Sequence, residues 1–139
     1  MSPKTKAPPP TPLAVANLAL TAARVMRGEW IQLLASGSVT VADLLVTAAG
    51  ADGAPLRRLR LVQVLAAQED WSMERAQSVV SMTVRGAQSR SEPKRPVTVG
   101  WLIDPRSGGR RLRSFAEAMA SLDADHLDRF PYRPLAVAQ

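Results

Sequence analysis

The chain is 139 residues long, carries a formal net charge of +6 and contains no cysteine. Its length suits one domain, and hydrophobic residues at 46% with aromatic residues at only 4% favour a helical core of alanine, leucine and valine. The lack of cysteine excludes disulfides and thiolate metal sites and fits a reducing cytoplasm. A lone histidine, His126, builds neither a metal site nor a catalytic triad by itself.

The N-terminal region predicts a tail followed by one long helix. Residues 1–11 include APPPTP and favour an extended tail that lacks the apolar core of a signal peptide. From Pro12 onward the apolar residues recur at steps of three and four, which predicts an amphipathic helix that ends near Gly37. We expect Trp30 to be largely buried on its inward stripe, which comprises Val15, Leu18, Ala22, Val25, Met26, Trp30 and Leu33. No apolar run reaches the ~18 residues that a membrane helix needs.

Two shorter helices are predicted before residue 71. Thr40 precedes Asp43 by three residues, a spacing typical of a helix N-terminus. The second helix should end at residue 50 and bury Val41, Leu44, Leu45 and Ala48. After a loop at residues 50–55, a third helix is expected from near Leu59 to just before Trp71, with its inward face formed by Leu61, Val64 and Leu65.

The next segment predicts a fourth helix and then irregular chain. Ser72 is expected to cap a helix that ends near Gly86 and buries Ala76, Val79 and Val80. Residues 86–96 are polar and proline-containing, which indicates a mobile loop. Residues 97–103, VTVGWLI, alternate like a strand but show no partner strand, so we expect an extended or single-turn segment packed on the core.

A last helix is predicted after two tight turns. Asp104 can cap a first turn that has Pro105 at its first position, and Gly108 and Gly109 interrupt it, so the helix should begin near Arg110. Its buried face is predicted to hold Leu112, Phe115, Ala116 and Met119. We therefore expect an all-α domain over residues 12–122 and a loosely held tail over residues 123–139.

Positive charge is concentrated in one stretch of the chain. Residues 85–113 hold eight basic and two acidic residues, and this excess of six (eight minus two) is the whole net charge. Fifteen of the 18 basic residues are arginine, whose planar guanidinium suits phosphate. The pattern predicts a polyanion-binding surface, the alternative being an ordinary solvated one. The basic residues are Arg85, Arg90, Lys94, Arg95, Arg106, Arg110, Arg111 and Arg113.

The stretch WLIDPRSGGRRLR predicts the main contact. Backbone N–H groups at a Gly-Gly turn that leads into a helix can form an anion-binding nest, to which Ser107 would add a hydroxyl donor. The arginines should point away from the core and hold neighbouring phosphates. The predicted contact residues are Arg106, Ser107, Gly108, Gly109, Arg110, Arg111 and Arg113. The turn alternatively serves only as a connector, and a nucleotide-binding loop is excluded because no Lys-Ser/Thr pair follows.

Two further groups of basic residues are candidates for phosphate contacts. Arg57, Arg58 and Arg60 are left on a polar face when Leu56, Leu59 and Leu61 are buried, and they could contact the opposite DNA strand or form a solvated face. Lys94 and Arg95 lie in the predicted loop before the main contact.

The middle of the chain resembles the actinobacterial integration host factor family, small basic proteins with a helix-two-turns-helix DNA-binding domain. The resemblance covers about residues 24–120. It is carried by Arg27-Gly28-Glu29-Trp30, Leu33 or Leu34, Gly37-Ser38, Thr40-Val41, Asp43-Leu44-Leu45, Ala48, Leu56, Leu59-Arg60-Leu61, Val64-Leu65 and Arg75-Ala76. It implies binding of duplex DNA with little sequence preference, DNA compaction or bending in the nucleoid, and a recombinase or integrase as a partner for some members.

Two features depart from the family pattern. Residues 69–74, EDWSME, replace a Pro-x-Val-Gly hairpin, which removes backbone donors and adds acidic groups. The terminal arginine-rich turn is longer here and follows an enlarged loop, so we place the main DNA contact at that turn.

The function expected from the sequence is duplex DNA binding without enzymatic activity or cofactors, by a cytoplasmic, nucleoid-associated monomer. The basic cluster contains no paired carboxylates for catalysis, and the chain shows no heptad seam for dimerisation. An RNA-binding or ribosome-associated domain is the main alternative, and an adaptor for acidic proteins is another. The tryptophans lie in apolar periodic contexts, whereas RNA readers expose aromatic residues for stacking.

Overall fold

In the computed structural model, residues 11–87 and 96–128 are described, with side chains up to residue 123, and they form an all-α domain. The helices are α1 (Pro12–Ala35), α2 (Val41–Ala49), α3 (Ala54–Arg57), α4 (Leu61–Ala67), α5 (Met73–Gly86), α6 (Val99–Ile103) and α7 (Arg110–Asp128). A single 3₁₀ turn, Pro105–Ser107, joins α6 to α7. The predicted N-terminal tail up to residue 10, most of the predicted loop, and the C-terminal tail from residue 129 lie outside the described residues.

Polar side chains fix the starts of most of the longer helices. Thr40 and Asp43 form a reciprocal capping box at α2, with hydrogen bonds of 2.9 and 3.1 Å. Ser72 accepts from a first-turn N–H of α5 at 3.0 Å, and Thr98 does the same for α6 at 3.1 Å. Each such bond satisfies a backbone donor that the helix itself leaves unpaired. The caps predicted at residues 40 and 72 are confirmed.

The core lies where α5 packs against α4 and α7, and extends to α2, α3 and α6. Aliphatic side chains dominate it, as the composition predicts. The fully buried large residues include Leu44, Leu56, Leu61, Val64, Leu65, Val79, Val99 and Leu102. Because these side chains come from helices far apart in sequence, they hold the short helices in place despite the weak intrinsic stability of four- to seven-residue helices.

Helix α1 is as long as predicted, but most of it projects from the core. Its only fully buried side chain among the described residues is Leu34, and its main contacts are with α3 and α4. Leu18 is 69% exposed, and Trp30 is only half-buried where we expected it to be largely buried. The predicted inward stripe is wrong at Val15, Leu18, Ala22, Val25 and Leu33, which are exposed. A helix of 24 residues spans about 36 Å, more than the helices beside it can cover.

The third helix begins later than predicted, at Leu61, and a separate short helix, α3, forms where the predicted loop at residues 50–55 should end. An extended corner lies between these two helices. The corner pairs with the segment that showed no strand partner: Leu61 N–H donates to the Val97 carbonyl, and Val99 N–H donates to the Leu59 carbonyl, both at 2.9 Å. Arg60 and Thr98 thereby form an isolated antiparallel bridge. These bonds use backbone groups that a continuous helix would have used, so the helix begins at Leu61 rather than at Leu59. The expected single-turn packing of residues 97–103 is confirmed.

The inward face of α7 is shifted from the predicted one. Phe115, Ser114 and Ala118 are buried, whereas Leu112 is 39% exposed and Ala116 is exposed. The Ser114 hydroxyl donates to the Thr83 carbonyl of α5 at 2.8 Å, which satisfies this polar group in the core. The helix also continues to Asp128, beyond the predicted boundary at residue 122, and an ion pair of 2.8 Å joins Asp123 to Arg75.

Candidate nucleic-acid interface

The predicted main contact lies where a compact turn, residues 104–109, leads from α6 into the first turn of α7. We call residues 104–113 the arginine turn. Asp104 accepts the Arg106 backbone N–H at 2.9 Å, as the predicted cap requires. The Arg106 side chain folds back on the same carboxylate, with N–O distances of 2.7 and 3.1 Å. This hydrogen bonding lowers the pKa of Asp104 to about 2 and raises the pKa of Arg106. Arg106 is thus exposed but already paired with an anion.

Ser107 does not supply the predicted hydroxyl donor. Its side chain is buried, with 5% of the residue exposed, and its Oγ donates to the Asp104 carbonyl at 2.9 Å. The hydroxyl therefore holds the turn together. Its donor is used within the protein, so it is not available to a phosphate.

Gly108 and Gly109 form the predicted interruption before α7. Both are exposed and adopt left-handed backbone conformations, with φ of 63° and 82°. The Gly108 N–H donates to the Pro105 carbonyl at 3.0 Å and is therefore occupied. The first N–H groups of a helix have no acceptor within that helix, and those of α7 come directly after the exposed glycine pair. The beginning of α7 near Arg110 is confirmed.

The three arginines of α7 have different surroundings. Arg111 does not point away from the core as predicted: it is half-buried, donates to the Trp101 carbonyl at 2.8 Å and covers the Trp101 ring at 4.5 Å. Arg110 is exposed, although its Nε donates to the Ser107 carbonyl at 3.1 Å. Arg113 is exposed. Arg110 and Arg113 are therefore the side chains of α7 that are best placed to contact an external phosphate.

The predicted contacts at Arg57, Arg58 and Arg60 also differ in their surroundings. Arg57 is half-buried and donates to the carbonyls of Ala48 at 2.7 Å and Gly50 at 3.3 Å, so it closes the C-terminal end of α2. Arg57 therefore has a structural role that the sequence analysis did not predict, and its phosphate contact stays a prediction. Arg58 and Arg60 are exposed, as predicted. Lys94 and Arg95 lie outside the described residues.

Arg58 and Arg60 face two arginines that the sequence analysis did not predict as phosphate contacts. Together with Arg24 and Arg27 of α1 they line an open groove of about 360 Å³, which we call the arginine groove. Arg24 and Arg27 are three residues apart, a spacing that places them on the same side of a helix. That spacing was visible in the sequence, but nothing in it showed which element this side of α1 would face.

Other kinds of site receive no support from the described residues. Across residues 11–87 and 96–123, whose side chains are described, no three histidine, cysteine or carboxylate groups lie together as metal ligands. In the same part of the chain, no helix is both long and apolar enough to cross a membrane.

Comparison with protein families, with curated proteins and with solved structures gives no match for this chain.

Proposed function

We propose that the protein binds duplex DNA through its phosphate backbone, with little sequence preference, and shapes DNA in the nucleoid. The observation that carries the proposal is the arginine turn, where exposed Arg110 and Arg113 flank the start of a long helix behind an exposed glycine pair. A helix start offers backbone donors and a partial positive charge, and arginine adds paired donors of matching geometry for phosphate.

Contacts of this kind fix a protein on DNA without reading bases, because every nucleotide presents the same phosphate. The concentration of net charge around this turn supports such binding. The resemblance to the integration host factor family points to the same activity and to a role in DNA compaction or site-specific recombination, with a recombinase as a further partner.

The environment of the tryptophans favours duplex DNA over single-stranded RNA. Trp30, Trp71 and Trp101 are half-buried and pack against the core. Arg75 lies over the Trp71 ring at 4.1 Å, and Arg111 covers Trp101. Stacking on unpaired bases needs exposed aromatic faces, which these three side chains do not offer.

The test is a fluorescence anisotropy titration of duplex DNA, duplex RNA and single-stranded DNA over a series of salt concentrations. The double variant Arg110→Ala/Arg113→Ala should flatten the plot of log K against log salt by roughly 1.8, or 0.9 for each phosphate that the protein no longer neutralises, equally for unrelated duplex sequences. Arg75→Gln is the control, because Arg75 is already paired with Asp123 near the other end of α7. Equal slopes for the double variant and the wild type would place the DNA elsewhere.

Asp104→Asn provides a gain-of-function test. Asparagine keeps an acceptor for the Arg106 N–H but removes the charge that pairs with the Arg106 guanidinium. Affinity for duplex DNA should rise and the salt slope should steepen by roughly 0.9 if Arg106 then contacts a phosphate. Unchanged affinity would mean that the arginine turn does not contact DNA. Tighter binding to RNA than to DNA would favour the RNA-binding alternative.

A further inference from the structure

The arginine groove brings together two parts of the chain that are more than 30 residues apart. One wall is the side of α1 that carries Arg24 and Arg27, and the other is the corner with Arg58 and Arg60 before α4. The floor includes the apolar side chains of Ile31 and Leu59, and Gln63 adds an amide. The volume of the groove, about 360 Å³, is much larger than one phosphate group requires.

The groove is strongly positive and has no acidic lining residue. None of its four arginines forms an ion pair with any carboxylate among the described side chains. Arg27 makes only a long hydrogen bond within the protein, in which Nη1 donates to the Pro55 carbonyl at 3.4 Å. Four like charges around one groove repel one another, and this repulsion is relieved when an anion enters.

Arg60 belongs to the lining of two hollows. The same side chain also lines a second hollow of about 410 Å³, whose other lining residues include Gln77, Ser81 and Pro96. These side chains are neutral, and the hollow has no acidic lining residue either. With four arginines around it and a volume larger than one phosphate group requires, the arginine groove suits linked phosphates better than a single compact anion.

We propose that the arginine groove is a binding site for linked phosphates, held by Arg24, Arg27, Arg58 and Arg60. Duplex DNA bound by the protein supplies these phosphates from its backbone, and in this respect the inference rests on the proposed function. The groove thereby gives the protein a phosphate-binding surface separate from the arginine turn. A protein that engages DNA at two separate surfaces can fix the path of the duplex between them, which is what shaping DNA requires.

Single variants on each wall test the groove. Arg24 and Arg58 are the residues to change, and Arg24→Gln and Arg58→Gln remove one charge each without disturbing the buried core. Each should flatten the salt slope of duplex binding by roughly 0.9, and the double variant by roughly 1.8. Arg75→Gln removes the same single charge from a residue already paired with Asp123, and should leave the slope unchanged. Far-ultraviolet circular dichroism checks that all variants remain folded.

The outcomes separate the groove from the proposed function. If wild-type protein binds duplex DNA and the groove variants behave like Arg75→Gln, the groove inference is overturned and the proposed function stands. If wild-type protein binds no duplex, the proposed function fails, and a titration with inorganic tripolyphosphate then decides the groove. Changes in the NMR signals of the Arg24 and Arg58 Nε–H groups would support a site for free linked phosphates. Unchanged signals would overturn it.

Discussion

Replacing Arg111 with alanine should destabilise the domain, although the residue lies in the most basic stretch of the chain. The guanidinium donates a 2.8 Å hydrogen bond to the Trp101 carbonyl and covers the Trp101 ring at 4.5 Å. A hydrogen bond from a charged donor contributes about 1.5–3 kcal/mol, and a partly exposed cation–π contact about 0.5–1 kcal/mol. Because Arg111 is only half-buried, we take the lower part of both ranges and expect the free energy of unfolding to fall by about 2 kcal/mol.

The assay is urea denaturation followed by far-ultraviolet circular dichroism, with thermal melting as a second readout. For a domain of about 110 residues, a decrease of about 2 kcal/mol lowers Tm by roughly 8 °C. Arg113→Ala is the matched control, because Arg113 is exposed and its removal should change stability by less than about 0.5 kcal/mol. Arg111→Lys should restore only part of the stability, since lysine keeps the charge but not the planar group that stacks on the ring.

The two variants should also differ in DNA binding. Measured well below the melting temperature, Arg113→Ala should flatten the salt slope, while Arg111→Ala should change it less because that guanidinium is occupied within the protein. Equal stability of Arg111→Ala and Arg113→Ala would refute the structural role of Arg111. A larger change of salt slope in Arg111→Ala would mean that its guanidinium leaves Trp101 to contact DNA.

The remaining predictions concern stability and titration. Gly53→Ala should destabilise the domain by about 2 kcal/mol, because a Cβ would lie 2.6 Å from a backbone carbon of α2. Gly28→Ala, where a Cβ meets open space within α1, should stabilise the domain by about 0.5–1 kcal/mol. Urea denaturation in which Gly53→Ala is more stable than Gly28→Ala would contradict both predictions. Trp30→Ala should cost about 2 kcal/mol, less than full burial implies, and an unchanged Tm would mean that α1 does not dock there. The Asp104 carboxylate should titrate near pH 2 by NMR, so its contribution to stability is complete above about pH 4 and disappears as the pH falls toward 2. Arg106→Gln should raise that midpoint, and an unmoved midpoint would exclude the ion pair as its cause.

The arrangement of the candidate site could be predicted only in part from sequence. The arginine turn was placed correctly because its determinants are adjacent: an Asp-Pro start, two glycines, and a helix-forming run. The roles of the individual side chains in this turn were not all predicted correctly, since Ser107 and Arg111 donate hydrogen bonds to carbonyls inside the protein. Arg57 likewise closes α2, which no local pattern indicates. Whether a polar side chain faces solvent or donates to an internal carbonyl depends on the residues that pack around it.

The sequence by itself determined the features that depend on residues within about four positions of one another. The all-α class, the extent of α1 from Pro12 to Ala35, the caps at residues 40 and 72, and the start of α7 all follow from local spacing, because capping and helical hydrogen bonds are local.

Tertiary structure alone decided which surfaces meet. It left the apolar N-terminal half of α1 exposed, delayed the start of the predicted third helix to Leu61 by pairing residues 59–61 with 97–99, and brought Arg24 and Arg27 opposite Arg58 and Arg60. Helical periodicity tells which residues share a face, but not what the face packs against. That depends on the burial of side chains from distant helices in one core.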